Sequence, residues 1–284
     1  GELLDEIIPH FQIEEKEDPK EGLPKVANLG RPKVGKTSFL NVLLGKERSI
    51  VSEIAGTTRD SIDNRYRAYN QDFILTDTAG IRRKSRVKEN IEFYSVMRSI
   101  RALENSDICI LMLDAENGLE SQDMNILRLA HDRSKGLLIM VNKWDLILNK
   151  KTQTLKEYED KLRAKLATMS YVPIMFVSVL DKKRIFQTIE KVVQVFQNRT
   201  RRVPTSKLNE VILKEIERRP PPATKGKYVH IKYITQVPTP TPVFAFFCNL
   251  PQYIKEPYQR FLENRIRENF DFEGVPVKIV FRTT

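Results

Sequence analysis

The sequence predicts an α/β chain in two parts: a mostly parallel sheet with helices on both faces, followed by a small α+β layer pair. Three observations carry this reading. Short, almost wholly apolar runs alternate with helical periodicities from residue 25 to 197, and strands buried on both faces read as continuous apolar runs. After a basic, apolar-poor stretch at 199–205 the order of elements changes. Finally, 284 residues at 40% apolar and 30% charged are enough for two separate cores.

In the first part the strands are read at Val26–Leu29, Phe73–Thr76, Ile108–Leu113, Leu137–Val141 and Ile174–Val177. Helices fall near 36–45, 91–104, 121–134, 154–169 and 183–197, and a hairpin strand near Tyr66–Tyr69 adds an antiparallel edge. The second part reads as helix 206–218, a turn at Pro220–Pro222, strand Tyr228–Gln236, a turn through Pro238, Pro240 and Pro242, strand Val243–Asn249, helix Lys255–Phe270 and strand Val277–Phe281. Ahead of both, Leu3, Leu4, Ile7, Ile8 and Phe11 recur at helical spacing, and 14–21 is an acidic linker without apolar periodicity. The expected division is therefore 1–22 as the end of a preceding domain plus linker, 23–198 as the α/β domain and 199–284 as the α+β domain.

Composition narrows the function classes. No apolar run approaches the roughly 18 residues needed to cross a bilayer, so no membrane span is expected. The N-terminus has no cationic stretch leading into an apolar one, which argues against a secretory signal. Cys109 and Cys248 lie inside apolar runs with no metal-binding spacing, so reduced thiols and a cytoplasmic location are expected. The net charge of +11 is unevenly spread: residues 1–22 hold 8 acidic and 2 basic residues, 23–198 hold 30 basic and 21 acidic, and 199–284 hold 16 basic and 8 acidic. Two basic bodies point to a polyanionic partner such as nucleic acid.

Four motifs follow strand ends in order. Gly30-Arg31-Pro32-Lys33-Val34-Gly35-Lys36-Thr37, continued by Ser38, matches G-x-x-x-x-G-K-[ST] between a strand and a helix. Its glycines let successive N–H groups and a helix N-terminus face phosphates, Lys36 adds a positive charge, and the Thr37 hydroxyl is a hard ligand for Mg²⁺. An isolated string of this kind can be an ordinary turn into a helix, so the other three motifs decide. Asp77-Thr78-Ala79-Gly80 places a carboxylate where it can hold a water of the Mg²⁺ shell and an N–H where it can reach a γ-phosphate. Asn142-Lys143-Trp144-Asp145 offers a carboxylate to the paired N–H donors of guanine, a lysine to lie over the base and an amide to tie this loop to the phosphate loop. Ser178-Val179 sits where a backbone N–H can meet guanine O6. All four converge on the crevice at the carboxyl ends of the strands.

With these motifs in this order the chain resembles a P-loop GTPase domain, and Gly56-Thr57-Thr58-Arg59-Asp60 narrows the resemblance to the branch containing Era, MnmE and EngA. Asp77 to Lys84 and Asn-Lys-Trp-Asp resemble the second GTPase domain of the EngA (Der) family. Residues 206–284, with the ending Asn269 to Pro276, resemble that family's KH-like domain. The resemblance implies a Mg²⁺-dependent GTPase that converts GTP to GDP and phosphate, with Thr37, Thr58 and Asp77 around the metal and Lys36, Thr37, Thr58 and Gly80 at the reacting phosphates. It implies assembly of the large ribosomal subunit as the task, ribosomal RNA as the partner, and a further, first GTPase domain. A tRNA-modifying role like that of MnmE needs an additional domain that these residues do not contain.

One position departs from the family pattern. Lys33 stands where EngA-like proteins carry an asparagine implicated in holding K⁺; Ile81, where many GTPases place a water-orienting glutamine, is apolar as the resemblance to this branch implies, which leaves the cation more of the transition-state charge. Either the Lys33 ammonium takes the place of K⁺, or it points to solvent and hydrolysis is slow or vestigial, leaving a GTP-dependent docking module. Asn28, a polar residue in an apolar strand, needs a partner if buried. The basic run Arg82, Arg83, Lys84, Arg86 and Lys88 reads as a contact for RNA or a neighbouring domain, or as a solvated face. Residues 199–284 lack the G-x-x-G loop by which KH modules clamp a backbone; Lys225-Gly226-Lys227 is only a basic turn. Tyr228, Tyr233, Phe244, Phe246 and Phe247, on alternating strand positions, are read mainly as core.

Overall fold

The computed structural model describes residues 22–45, 64–68, 71–76, 99–147, 153–224 and 226–284. A six-stranded sheet runs in the order β2-β3-β1-β4-β5-β6. It comprises β1 (Lys25–Leu29), β2 (Asn64–Ala68), β3 (Gln71–Thr76), β4 (Ile108–Asp114), β5 (Gly136–Asn142) and β6 (Ile174–Phe176). Every ladder is parallel except β2 on β3, the expected antiparallel edge, which a bidentate Arg65–Asp72 pair clamps at 2.9 and 2.6 Å.

Helices cover both faces, which is why the strands read as unbroken apolar runs. Val26, Ile108, Ile110, Met112, Leu138 and Met140 face α1 (Lys36–Leu44) and α4 (Ile185–Thr200) in one cluster. The alternate residues Ala27, Cys109, Leu111, Leu137, Ile139 and Val141 face α2 (Ser121–Asp132), α3 (Thr154–Leu166) and the helical residues 99–104 in the other. The limits shift where local chemistry decides. Predicted helix 154–169 stops at Leu166 because Ala167 turns to φ 48° and starts a 3₁₀ turn. Helix 183–197 begins only at Ile185, since Lys183 is held in a bridge to Ser178 and Arg184 is left-handed.

The second body runs α5 (Thr205–Arg218), β7 (Ile231–Gln236), β8 (Val243–Cys248), α6 (Glu256–Asn269) and β9 (Lys278–Thr283). Its sheet, ordered β7-β8-β9, has β7 antiparallel and β9 parallel to β8. Leu208, Ile212 and Ile216, at i, i+4, i+8 on α5, pack with Leu262 and Ile266 of α6 on Phe244 and Phe246. β7 starts later than the expected Tyr228, because the Asn249 side chain takes the Tyr228 carbonyl and the His230 N–H, and a bulge follows between Ile231 and Tyr233. The aromatic expectation divides: Phe244 and Phe246 are fully buried, whereas Tyr228 and Tyr233 are 68% and 43% exposed. Tyr233 stands on the side of the sheet that no helix covers among the described residues.

The two bodies meet through 271–275. Gly274 donates its N–H to the Tyr171 carbonyl (2.8 Å) and accepts from Leu137 N–H (2.7 Å), while Val275 is buried in the cluster under α4. Lys191 pairs with Glu273 at 3.0 Å, Asn198 donates to the Glu273 carbonyl, and the Arg267 guanidinium lies 4.1 Å over the Tyr171 ring. Gly274 has φ 76°, and a Cβ there would lie 2.4 Å from a Val195 methyl, so only glycine fits.

Candidate nucleotide-binding site

The phosphate-loop sequence forms the turn between β1 and α1 that its glycines predict. Lys36 opens α1 and folds its ammonium back onto the carbonyls of Gly30 (2.7 Å) and Arg31 (2.6 Å). Burial lowers its pKa to about 8, partly offset by the charge of Asp123. An ammonium held in this way gains from a phosphate oxygen, which restores the favourable field that burial removes. Gly35, at φ 108°, cannot be replaced without collision: a Cβ would sit 2.2 Å from Nδ2 of Asn142. Thr37 and Ser38 are exposed on the first turn of α1, where a helix N-terminus favours anions.

That contact with Asn142 is the structural centre of the site. Asn142 ends β5 and is 3% exposed. Its Nδ2 donates to the Val34 carbonyl at 2.8 Å, and its Oδ1 accepts the Val179 N–H at 3.0 Å. One amide thus joins the phosphate loop, the end of β5 and the loop after β6. Lys143, left-handed at φ 62°, follows it and donates to Asp114 Oδ2 at 2.6 Å. Burial raises the Asp114 carboxyl, but hydrogen bonds from Lys143 and the Glu116 N–H, with the charges of Lys143 and Arg31, outweigh this and hold it below its usual value. Trp144 packs on Phe176 (4.6 Å) and edge-on to Tyr158 (5.3 Å), setting the turn that carries Asp145. Asp145 Oδ1 is buried and accepts no hydrogen bond within the protein. A buried, unpaired carboxylate oxygen is costly unless a ligand supplies donors.

Several expected site residues are thus brought together: Gly30, Val34, Gly35, Lys36 and Thr37 on one side of the crevice, Asn142, Lys143, Trp144 and Asp145 on the other. Thr58, Asp77, Thr78, Ala79, Gly80, Ile81 and the basic run from Arg82 lie outside the described residues. Two loop contacts within the protein bear on this set. The Arg31 side chain is engaged away from the loop, because Glu120, Asp123 (3.1 Å) and the Gly118 carbonyl (3.0 Å) hold it against the start of α2. The Val179 N–H belongs to Asn142 and the Ser178 N–H to the Lys183 carbonyl, so an O6 contact from Val179 would have to be shared. Lys33 is exposed and left-handed at φ 67°, a conformation that asparagine and glycine tolerate better than lysine. Asn28 is 8% exposed, and both its polar side-chain atoms lack partners; nothing in the structure explains it.

Sequence reasoning missed Asp114 and the Glu120–Asp123 pair. Asp114 had a signal, being the carboxylate that closes a wholly apolar strand and pairs in register with Asn142. Glu120 and Asp123 form a capping box at the start of α2, and their claim on Arg31 spans 92 residues of chain.

Three family descriptions match the chain: a 50S ribosome-binding GTPase over 25–143, the GTP-binding domain of elongation factor Tu over 91–198, and the KH-domain-like C-terminal region of EngA bacterial GTPases over 202–282. Among curated relatives, GTPase Der of Cytophaga hutchinsonii is 58% identical over 282 residues, 99% of this chain and 65% of that protein. The chain belongs to the EngA (Der) GTPase family. GTPase Der of Christiangramia forsetii is 56% identical over 99% of this chain and 64% of its own length, so the chain spans about 65% of the relatives it matches. Among solved structures, an Era variant from Aquifex aeolicus bound to GDP and AlF₄⁻ aligns over 92% of this chain and 93% of its own, at 22% identity and a TM-score of 0.47. In EngA-family terms the first two matches cover the phosphate and base loops, and the third covers the second body.

Proposed function

We propose that this chain is a GTP-binding and GTP-hydrolysing switch that acts in assembly of the large ribosomal subunit, with 23–198 as the GTPase domain and 199–284 as the KH-like domain. The observation that carries the reading is Asp145 Oδ1, buried and unpaired beside an amide that ties the base loop to the phosphate loop. Guanine presents the two adjacent donors a carboxylate there can satisfy, and adenine does not.

In the proposed reaction a water oxygen forms a bond to the γ-phosphorus, the bond from that phosphorus to the β–γ bridging oxygen breaks with its electron pair on GDP, and the water's protons leave with phosphate and solvent. The protein's contribution is positioning and charge stabilisation. Lys36 sits on the β and γ oxygens, and the N–H groups from Val34 to Thr37 orient the phosphates. Among the described residues no cluster of three carboxylate, histidine or cysteine groups could hold a metal by itself. A Mg²⁺ ion would share the exposed Thr37 hydroxyl with phosphate oxygens, and Thr58 and Asp77 complete its set by family resemblance; it neutralises developing phosphate charge when bound. Thr58 and the Gly80 N–H are the proposed γ-phosphate contacts.

A cytoplasmic setting, a further GTPase domain and ribosomal RNA as partner belong to this reading; its support is the match to a 50S ribosome-binding GTPase description and the excess of basic residues. Lys33 favours a second reading, in which hydrolysis is vestigial and nucleotide state only sets docking, since its exposed ammonium replaces the asparagine implicated in holding K⁺. Single-turnover hydrolysis of GTP with Mg²⁺, in K⁺ and in Na⁺ at matched ionic strength, separates them. Equal, appreciable rates are expected if Lys33 stands in for the cation, and a faster rate in K⁺ means an ion still binds. Binding without hydrolysis in either salt, alone and with large subunits, would overturn the enzymatic reading.

A further inference from the structure

The sheet of the second body has one face under α5 and α6 and another that no helix covers among the described residues. Cross-strand register places Tyr233, Phe247 and Arg282 in one row, and residues in register share a face. The neighbouring row, Ile234, Phe246 and Phe281, belongs to the core beneath the helices. Tyr233 and Phe247 stack with centroids 4.3 Å apart and planes 10° from parallel. One face of the Tyr233 ring is therefore covered by Phe247, while Tyr233 itself is 43% exposed on an edge strand. An aromatic ring stacked on one side and open on the other is an unfinished stack.

Charge says what completes it. All eight acidic residues between 199 and 284 lie on α5, on α6 or in the 271–273 segment against the first body, and none lies on β7, β8 or β9. Lys232, Lys278 and Arg282 are the charged residues of these strands, and all are exposed. Flat aromatic surface flanked only by cations suits unpaired bases with their phosphates, whereas a protein partner of ordinary composition gains nothing from the exclusion of acids. We propose that this open face binds single-stranded RNA, with a base stacking on Tyr233 and Arg282 contacting the backbone. It replaces the G-x-x-G clamp that the sequence lacks. The choice of RNA rests on the ribosomal reading above; the face and its mode of binding do not.

The test is fluorescence anisotropy of a fluorescein-labelled 12-nucleotide oligouridylate with the full chain and with Tyr233→Ala, Tyr233→Phe, Arg282→Glu and Lys214→Ala, the last on the opposite side of the body. Tyr233→Ala should weaken binding about tenfold, Tyr233→Phe should bind as the parent does, and Arg282→Glu should weaken binding with a shallower salt dependence. Lys214→Ala and the GTP affinity of every variant should be unchanged. An oligonucleotide carrying 5-iodouracil should crosslink to Tyr233 or Phe247 in the unsubstituted chain, which needs no variant to fold. Unchanged affinity in Tyr233→Ala, equal losses in Lys214→Ala, crosslinks confined to the first body, or no binding at all would overturn the proposal, the first pointing to a protein on this face. Cosedimentation with large subunits tests the ribosomal reading separately, because it reports association through any surface.

Discussion

Asn142→Ala should destabilise the chain even when no nucleotide is present. The side chain is buried and satisfies two backbone groups from different loops, the Val34 carbonyl at 2.8 Å and the Val179 N–H at 3.0 Å. Each buried backbone group left without a partner costs about 1–3 kcal/mol, so removal of both should lower the unfolding free energy by about 2–5 kcal/mol. Asn142→Asp separates the two bonds. An ionised carboxylate still accepts from Val179 but sets an oxygen against the Val34 carbonyl, while the protonated form can donate there. Folding therefore raises the pKa of the introduced carboxyl, so its stabilising contribution is present at low pH and lost as pH rises through the folded-state value. Urea unfolding of the nucleotide-free chain at pH 5 and 8 reads both effects. If Asn142→Ala loses GTP affinity but unfolds within about 0.5 kcal/mol of the parent, the amide is only a ligand and its structural role as drawn here is wrong.

Other expectations follow from the same geometry. Gly274→Ala should lower stability by about 2–4 kcal/mol, combining a left-handed residue with overpacking against Val195; Val195→Ala in the same chain should recover part of it, and strict additivity in denaturant unfolding would contradict the clash. Because burial lowers the Lys36 pKa to about 8, above that pH the free chain carries Lys36 increasingly neutral, and Lys36 should take up a proton when GDP binds. Calorimetry in buffers of different ionisation enthalpy at pH 9 should show this uptake, and Lys36→Met should abolish it. Before nucleotide binds, the same shift makes Lys36 favour the folded state more as pH rises from 8 toward the ordinary lysine value. Lys33→Asn should leave stability equal or slightly higher, since asparagine tolerates φ 67° better, and should make single-turnover hydrolysis respond to K⁺; no response would remove Lys33 from the reaction.

What was legible in the sequence was whatever periodicity and short motifs encode. The buried strands showed themselves because helices cover both faces, so β4 and β5 carry unbroken apolar runs. The antiparallel edge, the phosphate loop and the tie from Asn142 to it could all be read from spacing and hydrogen-bonding capacity. What escaped depends on contacts between distant residues. The hold on the Arg31 side chain by a capping box about 90 residues onward has no local signal in the sequence. Tyr233 and Phe244 both occupy strand positions of the same amphipathic kind, and only the placing of α5 and α6 on one side of the sheet makes one solvent-exposed and the other core. Strand β7 began late for a comparable reason, since the side chain of Asn249 takes bonds that the ladder would have used.

The central claim is that the crevice selects guanine nucleotides through Asp145. Equilibrium binding of GTP, XTP and ATP to the full chain and to Asp145→Asn, with Mg²⁺ present, tests it most directly. The account predicts that the parent binds GTP far more tightly than XTP or ATP, and that Asp145→Asn loses GTP and gains XTP. Equal binding of GTP and ATP, or an unchanged preference for guanine in Asp145→Asn, would contradict it.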